Sequence, residues 1–584
     1  MKLHISGILA AFCLAGAEVF GAAPLLADET PAFVIDPEAP VTLTIHKYEN
    51  NDAYQTVGNG CVQTVPGTPM EGIEYSVCRI GSWTSAGDSE EVGTYISDLS
   101  DDFLKFLNSQ ETGGETMIDA RTVGGVTVYT TDELQSAVSS INAMTGETPG
   151  AVLMTDFVRE HKSVSGLTGA DGTLQFKDLA QGIYLVAETD TSGMAREETD
   201  EAARSVMAGS EPFLVALPMT AMSGENGQTA GSAWQYDVHV YPKNATISIS
   251  KYIVDEDGEK LLRADDREIG QNTVQILTPS VPAVRDSQAY ETYIVEDAMD
   301  EGLSFVSVDS VKLGSFVDSP EGMSSFSDFT ELDSGDYIVG GAPGDSSFLV
   351  AFTQTGLEAL NSVEADSQLV ITFTSRLNGS APAGTGEMIS NTPELTVKTK
   401  DTVQSTLRGN TPELCTYALE LTKMGLDDAS LAAFAVKQDE KEVLFTEESS
   451  GVYHVTGESE NETGKAEIYP DSAGKLVIKG FDSKEYTFTE TATEPGKSLL
   501  TEPFRIAFES DSADGSLSRA LILKDDQENA LNVSNGTAYC TIFNYPTAAL
   551  NTGGSGFLPF WAAGALLILA AAGLTIHRTK SLHK

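Results

Sequence analysis

Three lysines occupy positions where a strand pattern asks for an apolar side chain. In VTLTIHKY the alternating set is Val41, Leu43, Ile45 and Lys47. In ATISISKYIV it is Ile247, Ile249, Lys251 and Ile253, and in TYALELTK it is Tyr417, Leu419, Leu421 and Lys423. Alternation with period two marks a half-buried strand. Each lysine is therefore aimed at a core, where an ammonium must be neutral, paired or consumed. Well over a hundred residues after each one comes an asparagine on an apolar face. Asn244 follows Val238, Val240 and Pro242 in WQYDVHVYPKN, Asn391 lies with Ile389, Pro393 and Leu395 in MISNTPELTV, and Asn544 follows Cys540 and Ile542 in AYCTIFNY. Between each pair lies an acid: Glu188 with Tyr184 and Val186, Asp297 with Tyr293 and Val295, and Glu490 with Tyr486 and Phe488. The face of Glu188 is ambiguous, because Ile183, Leu185 and Ala187 are apolar as well.

Lysine, asparagine and a carboxylic acid facing one core are the ingredients of a self-forming isopeptide bond. Burial disfavours every charge in the set. It lowers the lysine pKa and raises that of the acid, leaving an amine nucleophile and a protonated acid that can polarise the carboxamide and carry a proton to departing ammonia. A single such lysine reads more simply as a snorkelling side chain or a buried salt bridge. Three, each in the first strand of a segment with its acid and late asparagine in the same order, favour the chemistry.

The elements that must hold these sets are strands. The chain has 584 residues with 53 Gly and 22 Pro, many Thr, Val, Ser and Tyr, and no sustained helical period, which predicts an all-β, multi-domain array. The triplets divide it into 28–244, 245–410 and 411–546, with breaks at YPKN and near RGNTPE, where Gly, Pro and Asn interrupt the alternation. Within 86–158, TDELQSAVSSINAM has a helical character. Against 86 Asp and Glu stand only 35 Lys and Arg, a net charge of -51 that argues against nucleic acid as a partner. The sequence contains no HExxH, CxxC or phosphate-binding loop, and DEDGEK at 255–260 is a poor calcium loop. Nor does any Ser/His/Asp, Cys/His or paired-carboxylate set support a surface hydrolase. We expect no enzyme, no metal and no cofactor.

The ends point to export. Lys2, an apolar run from Ile5 to about Phe20 and small residues at Gly21 to Ala23 have the layout of a signal peptide, assigned to 1–27. Residues 557–576, FLPFWAAGALLILAAAGLTI, are long and apolar enough to span a bilayer and precede a basic tail. Cys13 leaves with the leader. Cys61, Cys78, Cys415 and Cys540 then form an even set in an oxidising compartment. Four cysteines allow three pairings, and Cys61 with Cys78 and Cys415 with Cys540 is the economical one. The second pair would need a bulge, because the two cysteines stand at unequal offsets from Lys423 and Asn544.

The segment 547–584 resembles the sorting signal of Gram-positive wall-anchored proteins. In Ala549, Leu550, Asn551, Thr552 and Gly553 the Thr-Gly bond cut by sortase is kept, whereas Ala549 and Leu550 replace the family's Leu and Pro. The chain as a whole resembles the sortase-assembled backbone pilins. WQYDVHVYPKN is similar to the pilin motif, which assigns Lys243 as the lysine joining subunits. If Val238, Val240 and Asn244 face inward, then Lys243, His239 and Tyr241 face out. GIYLVAET and YTFTETATEPG resemble the E-box of pilin domains, and 411–546 resembles the immunoglobulin-like B-type domain of collagen adhesins. The resemblance implies tandem immunoglobulin-like sandwiches in an elongated array, followed by the membrane-spanning sorting helix.

It also implies a mechanism. A pilin-class sortase holds Thr552 as a thioester, Lys243 of another copy attacks, and a covalent homopolymer grows. The precursor is retained in the membrane until cleavage, and the fibre is anchored to peptidoglycan at the cell surface together with accessory pilins. Which host ligand, if any, the fibre binds is left open. The rival expectation is a non-polymerised wall-anchored adhesin or basal pilin, which would not need Lys243.

Overall fold

The computed structural model describes residues 35–547, apart from 50–58, 65–66, 88–91, 111–116, 146–147, 195–202, 221–233, 285–288, 401, 403, 457–463, 512–514 and 525–526. The leader and the sorting segment with Ala549, Leu550, Asn551, Thr552, Gly553 and the apolar span lie outside these residues.

Strands dominate, as the alternation predicted, and six large sheets face one another in pairs to give three immunoglobulin-like sandwiches in tandem. In the first, Asp237–Val240, Val41–His46 and Thr173–Leu179 form one sheet. Phe213–Leu217, Gly182–Asp190, Glu74–Gly87 and Val92–Ser97 form the other, with Val164–Leu167 added alongside Glu74–Gly87. Three helices, Asp101–Ser109, Thr131–Asn142 and Gly150–His161, are inserted between strands. The helix expected in TDELQSAVSSINAM is the second of these, opened by a capping box between Thr130 and Glu133. Helix Gly150–His161 packs on strand Gly182–Asp190 and joins Met154, Phe157 and Val158 to the core. That strand is thus covered on both faces, which is why its sequence is apolar at every position from Ile183 to Ala187.

The second sandwich sets Lys243–Val254, Asn272–Val281, Ser367–Leu377 and Leu303–Ser315 against Tyr290–Met299, Ile389–Thr399 and Ser347–Phe352. Strand Ile389–Thr399 alternates buried and half-buried residues without a break. The third sets Tyr417–Met424, Thr537–Phe543 and Lys475–Phe481 against Ala433–Gln438, Glu485–Ala492, Phe504–Ser510 and Leu517–Lys524. Asn535 and Gly536, both at positive φ, turn the hairpin that leads into Thr537–Phe543.

Two strands cross the divisions drawn from sequence. Ala203–Ala208, from the first segment, pairs antiparallel with Ala245–Ile249 and so extends the second sandwich. Glu413–Cys415, from the third, pairs with Ile389–Ser390 and, in parallel, with Ala264–Asp266. A single apolar cluster runs through the second and third sandwiches, while the first has its own.

Candidate functional site

Strand pairing brings each lysine to its asparagine. In the first sandwich, Val41–His46 runs parallel to Asp237–Val240, and just beyond it Lys243 pairs with Tyr48 and Asn244 with Glu49. In the third, Tyr417–Met424 runs parallel to Thr537–Phe543, with Lys423 beside Ile542. First and last strands are therefore neighbours, and the acid comes from the facing sheet. Gly425 admits the close approach: it sits at φ +86°, and a Cβ there would lie 2.0 Å from the Asn544 carbonyl oxygen. The second sandwich is built differently. Lys251 lies in one sheet, whereas Asn391 and Asp297 lie on adjacent strands of the other, Asn391 opposite Met299 and Asp297 opposite Pro393.

All nine predicted residues are buried and meet in three groups; Lys47 and Lys251 are 0% exposed and Lys423 2%. Lys47 Nζ donates to Asn244 Oδ1 and lies 3.0 Å from Glu188 Oε2, while Asn244 Nδ2 donates to Glu188 Oε1 at 2.7 Å. Lys423 Nζ donates to Asn544 Oδ1 and stands 2.7 Å from Glu490 Oε1, which also accepts from Asn544 Nδ2 at 2.9 Å. In the second group Lys251 Nζ bonds Asp297 Oδ2, and the same oxygen accepts from Asn391 Nδ2 at 3.1 Å. Glu188, whose face the sequence left ambiguous, points inward.

Burial governs the electrostatics. It lowers the pKa of Lys47 and Lys423 and brings that of Lys251 down to about 8, while it raises that of Asp297. Each amine thus loses its proton more readily than a lysine in water. Each also sits over an aromatic ring, Tyr75 at 5.7 Å, Phe373 at 4.9 Å and Phe434 at 5.4 Å from the ring centroid. Two of these rings are cross-strand neighbours of the acid, Tyr75 of Glu188 and Phe434 of Glu490.

The arrangement can perform one reaction. A neutral Nζ adds to the asparagine Cγ, forming the Nζ–Cγ bond. The carboxyl takes a proton from that nitrogen and delivers one to Nδ2, the Cγ–Nδ2 bond breaks, and ammonia leaves. In the third group one oxygen, Glu490 Oε1, faces both nitrogens. In the first, the two oxygens of Glu188 divide them.

Sequence reasoning missed the supporting cast. Tyr75 donates its hydroxyl to Glu188 Oε2 at 3.0 Å, and Ser210 approaches the same oxygen. The Leu500 amide donates to Glu490 Oε2 at 2.8 Å, and Thr493 Oγ1 accepts from Asn544 Nδ2 at 2.5 Å. These contacts depend on which strands become neighbours, and nothing in the local patterns records that.

Two expectations are corrected. Cys61, Cys78 and Cys540 are free thiols, and neither proposed pair is brought together. Cys415 lies in the strand paired with Asp266 and donates its thiol to the Gly515 carbonyl oxygen, whereas Cys540 sits beside Leu421. Six residues separate Cys415 from Leu421, roughly 20 Å of extended chain, well beyond disulfide reach. Cys61 accepts from Gln235 Nε2 near the first sheet, while Cys78 is opposite Leu185 in the second. The other correction concerns His239, which is buried and not exposed on its outer face: His46 bonds it at 2.8 Å and stacks on Tyr241, and Gly60 bridges to it. The backbone of Lys243 opens the strand that pairs with Tyr48; the direction of its side chain lies outside the described residues.

The fold and these groups define a class, tandem immunoglobulin-like sandwiches that each enclose a lysine, an asparagine and an acid. Residues 38–245 match the family model of the Gram-positive pilin subunit D1, N-terminal domain. The chain is 28% identical to the fimbrial subunit type 2 of Actinomyces naeslundii over 213 residues, 36% of this chain and 33% of that protein. It is 24% identical to the fimbrial subunit type 1 of Actinomyces viscosus over 284 residues, 48% of this chain and 38% of that protein. The matches thus span little more than a third of these relatives' length. Among solved structures, the full-length major pilin SpaD of Corynebacterium diphtheriae aligns with a TM-score of 0.49 at 18% identity, covering 88% of this chain and 99% of that one.

Proposed function

We propose that this protein is the structural shaft subunit of a covalently polymerised surface pilus and not an enzyme. The observation that carries the reading is the recurrence of a buried, hydrogen-bonded lysine, asparagine and acid group in three successive sandwiches, the first of which matches a pilin-domain family model. Inside the subunit, Lys47 joins Asn244, Lys251 joins Asn391 and Lys423 joins Asn544, with Glu188, Asp297 and Glu490 as proton carriers. Between subunits, a pilin-class sortase cleaves after Thr552 and Lys243 of the next copy receives the acyl group. The domain divisions 28–244, 245–410 and 411–546 belong to the same proposal, as do export, retention of the precursor by the 557–576 span, attachment to peptidoglycan and the company of accessory pilins.

The test is an immunoblot of cell-wall extracts from the native host under denaturing conditions, comparing the natural protein with Lys243→Ala. A high-mass ladder that collapses to monomer on substitution supports the shaft role. A ladder that persists moves the linkage to another lysine, and no ladder in the natural protein favours a monomeric adhesin.

A further inference from the structure

The segment that leads out of the second sandwich contains a residue tied to both reacting strands. Ser405–Arg408 pairs antiparallel with Glu394–Val397, and Glu413–Cys415 resumes the pairing at Ile389–Ser390. Between Arg408, opposite Glu394, and Glu413, opposite Ser390, this strand carries one residue more than its neighbour. The surplus makes a bulge alongside Asn391, and bulges turn side chains in directions a regular ladder would not allow. Its flanks are fixed: the Gly409 amide donates to the Pro393 carbonyl oxygen at 2.8 Å, and the Thr411 and Thr392 hydroxyls are 2.8 Å apart. Gly409 is also pressed against the facing sheet, where a Cβ would lie 3.1 Å from the Ile249 carbonyl oxygen and 2.8 Å from Pro393 Cγ.

At the bulge, Asn410 reaches across the sandwich to the backbone of Lys251. Its Oδ1 accepts from the Lys251 amide at 2.8 Å, and its Nδ2 donates to the Lys251 carbonyl oxygen at 2.9 Å. The carboxamide thus does for Lys251 what a neighbouring strand would do. Among the described residues, the pairings along this edge lie on either side of Lys251, Ala203–Ala208 reaching Ile249 and Leu261–Leu262 beginning at Ile253. Arg263 Nη1 adds a third bond, to the same carbonyl oxygen, at 2.8 Å.

We infer that Asn410 is the positioning residue for the second internal bond, fixing the Lys251 backbone against Asn391 and Asp297. The inference rests on the proposed reaction, in which Nζ of Lys251 replaces Nδ2 of Asn391 with loss of ammonia. The second group has the greatest need of such a tie, because its lysine and asparagine lie in opposite sheets, whereas the other two pairs sit on adjacent strands. A misplacement of about an ångström can slow a reaction on the order of a hundredfold.

The experiment is a pulse of isotope-labelled synthesis of the full chain followed by a chase, with digestion and mass spectrometry of the three branched peptides. In the natural chain, a Lys251–Asn391 peptide appears with loss of ammonia; if it never appears, the isopeptide reading of this group fails before Asn410 is tested. Given that peptide, Asn410→Ala is expected to delay it on the order of tenfold or more. The Lys47–Asn244 and Lys423–Asn544 peptides of the same molecules keep their timing and report that the chain has folded. Asn410→Asp keeps the acceptor for the Lys251 amide and is expected to recover part of the rate. Pulse proteolysis of the second sandwich separates slow bonding from loss of fold. Unchanged timing in Asn410→Ala overturns the inference, as does a delay that tracks the unfolded fraction and is not relieved by Asn410→Asp.

Discussion

At the scale of single residues, the buried groups are unfavourable as ions and useful as reactants. Each acid bridges the two nitrogens that exchange places, so removing it should stop the exchange without emptying the core of its lysine and asparagine. Glu490→Ala is expected to leave Lys423 and Asn544 unlinked, and the intact mass of the ectodomain should rise by one ammonia relative to a fully linked chain after allowing for the substitution. A linked Lys423–Asn544 peptide in that variant would remove the acid from the mechanism.

The second group makes a prediction about pH. In the folded, unlinked chain Lys251 holds its proton less tightly than in the unfolded chain, with a pKa of about 8 against 10.5. Between those values the unfolded state binds more protons, so the stability of an unlinked variant such as Asn391→Ala should rise with pH from about 8 toward about 10.5, by on the order of 3 kcal/mol. Below about 8 the whole penalty is present. The raised pKa of Asp297 acts with the opposite slope, starting from its ordinary carboxyl range. Once the bond has formed, Lys251 is an amide and the alkaline dependence vanishes. Urea midpoints from pulse proteolysis of the linked and unlinked chains, compared across this range, would show it; parallel curves would refute it.

At the scale of elements, what was legible in the sequence is what has a local signature. A lysine or asparagine in an apolar alternation declares its face, so eight of the nine residues could be set on the inner surface before any strand pairing was known. Glu188 could not, because helix Gly150–His161 covers the other face of its strand and erases the alternation. Pairings between distant segments left no such mark. Register excludes the Cys415–Cys540 bridge, the bulge aims Asn410, and the outer face of His239 is covered by His46, Tyr241 and Gly60.

The strand Ala203–Ala208 is another such pairing and makes its own prediction. It ties the first segment to the second sandwich, and Arg204 reinforces the joint by bonding Glu49 at 2.8 Å and Asp318 at 2.7 Å. Proline at its centre removes an amide donor from the ladder and fixes the backbone. In Ser205→Pro, hydrogen exchange at the edge of Ala245–Ile249 should quicken while the amides of Tyr417–Met424 keep their rates. Equal protection of Ala245–Ile249 in both proteins would show that the pairing contributes little to the joint.

At the scale of the whole molecule, the positions of the crosslinks determine where a fibre carries load. If subunits are joined from Thr552 of one copy to Lys243 of the next, tension enters at residue 243 and leaves at residue 552. The first sandwich precedes Lys243 and stands outside that path, so its Lys47–Asn244 bond bears none of the force. The other two bonds lie within it. They shunt tension from Lys251 to Asn391 and from Lys423 to Asn544, leaving 243–251, 391–423 and 544–552 as the stretched backbone. The middle stretch includes Asn410 and Glu413–Cys415, which is woven between two strands of the second sandwich. Each shunted loop holds about 400 to 500 Å of chain at ~3.5 Å per residue. Single-molecule pulling between attachment points at 243 and 552 should therefore find no unfolding step in the fully linked protein. Asn391→Ala and Asn544→Ala should each add one step of several hundred ångströms, and Asn244→Ala should add none. A step in the last variant would show that force applied at residue 243 reaches the first sandwich, contrary to this load path. A stepless Asn391→Ala would mean that the second sandwich resists force without its bond.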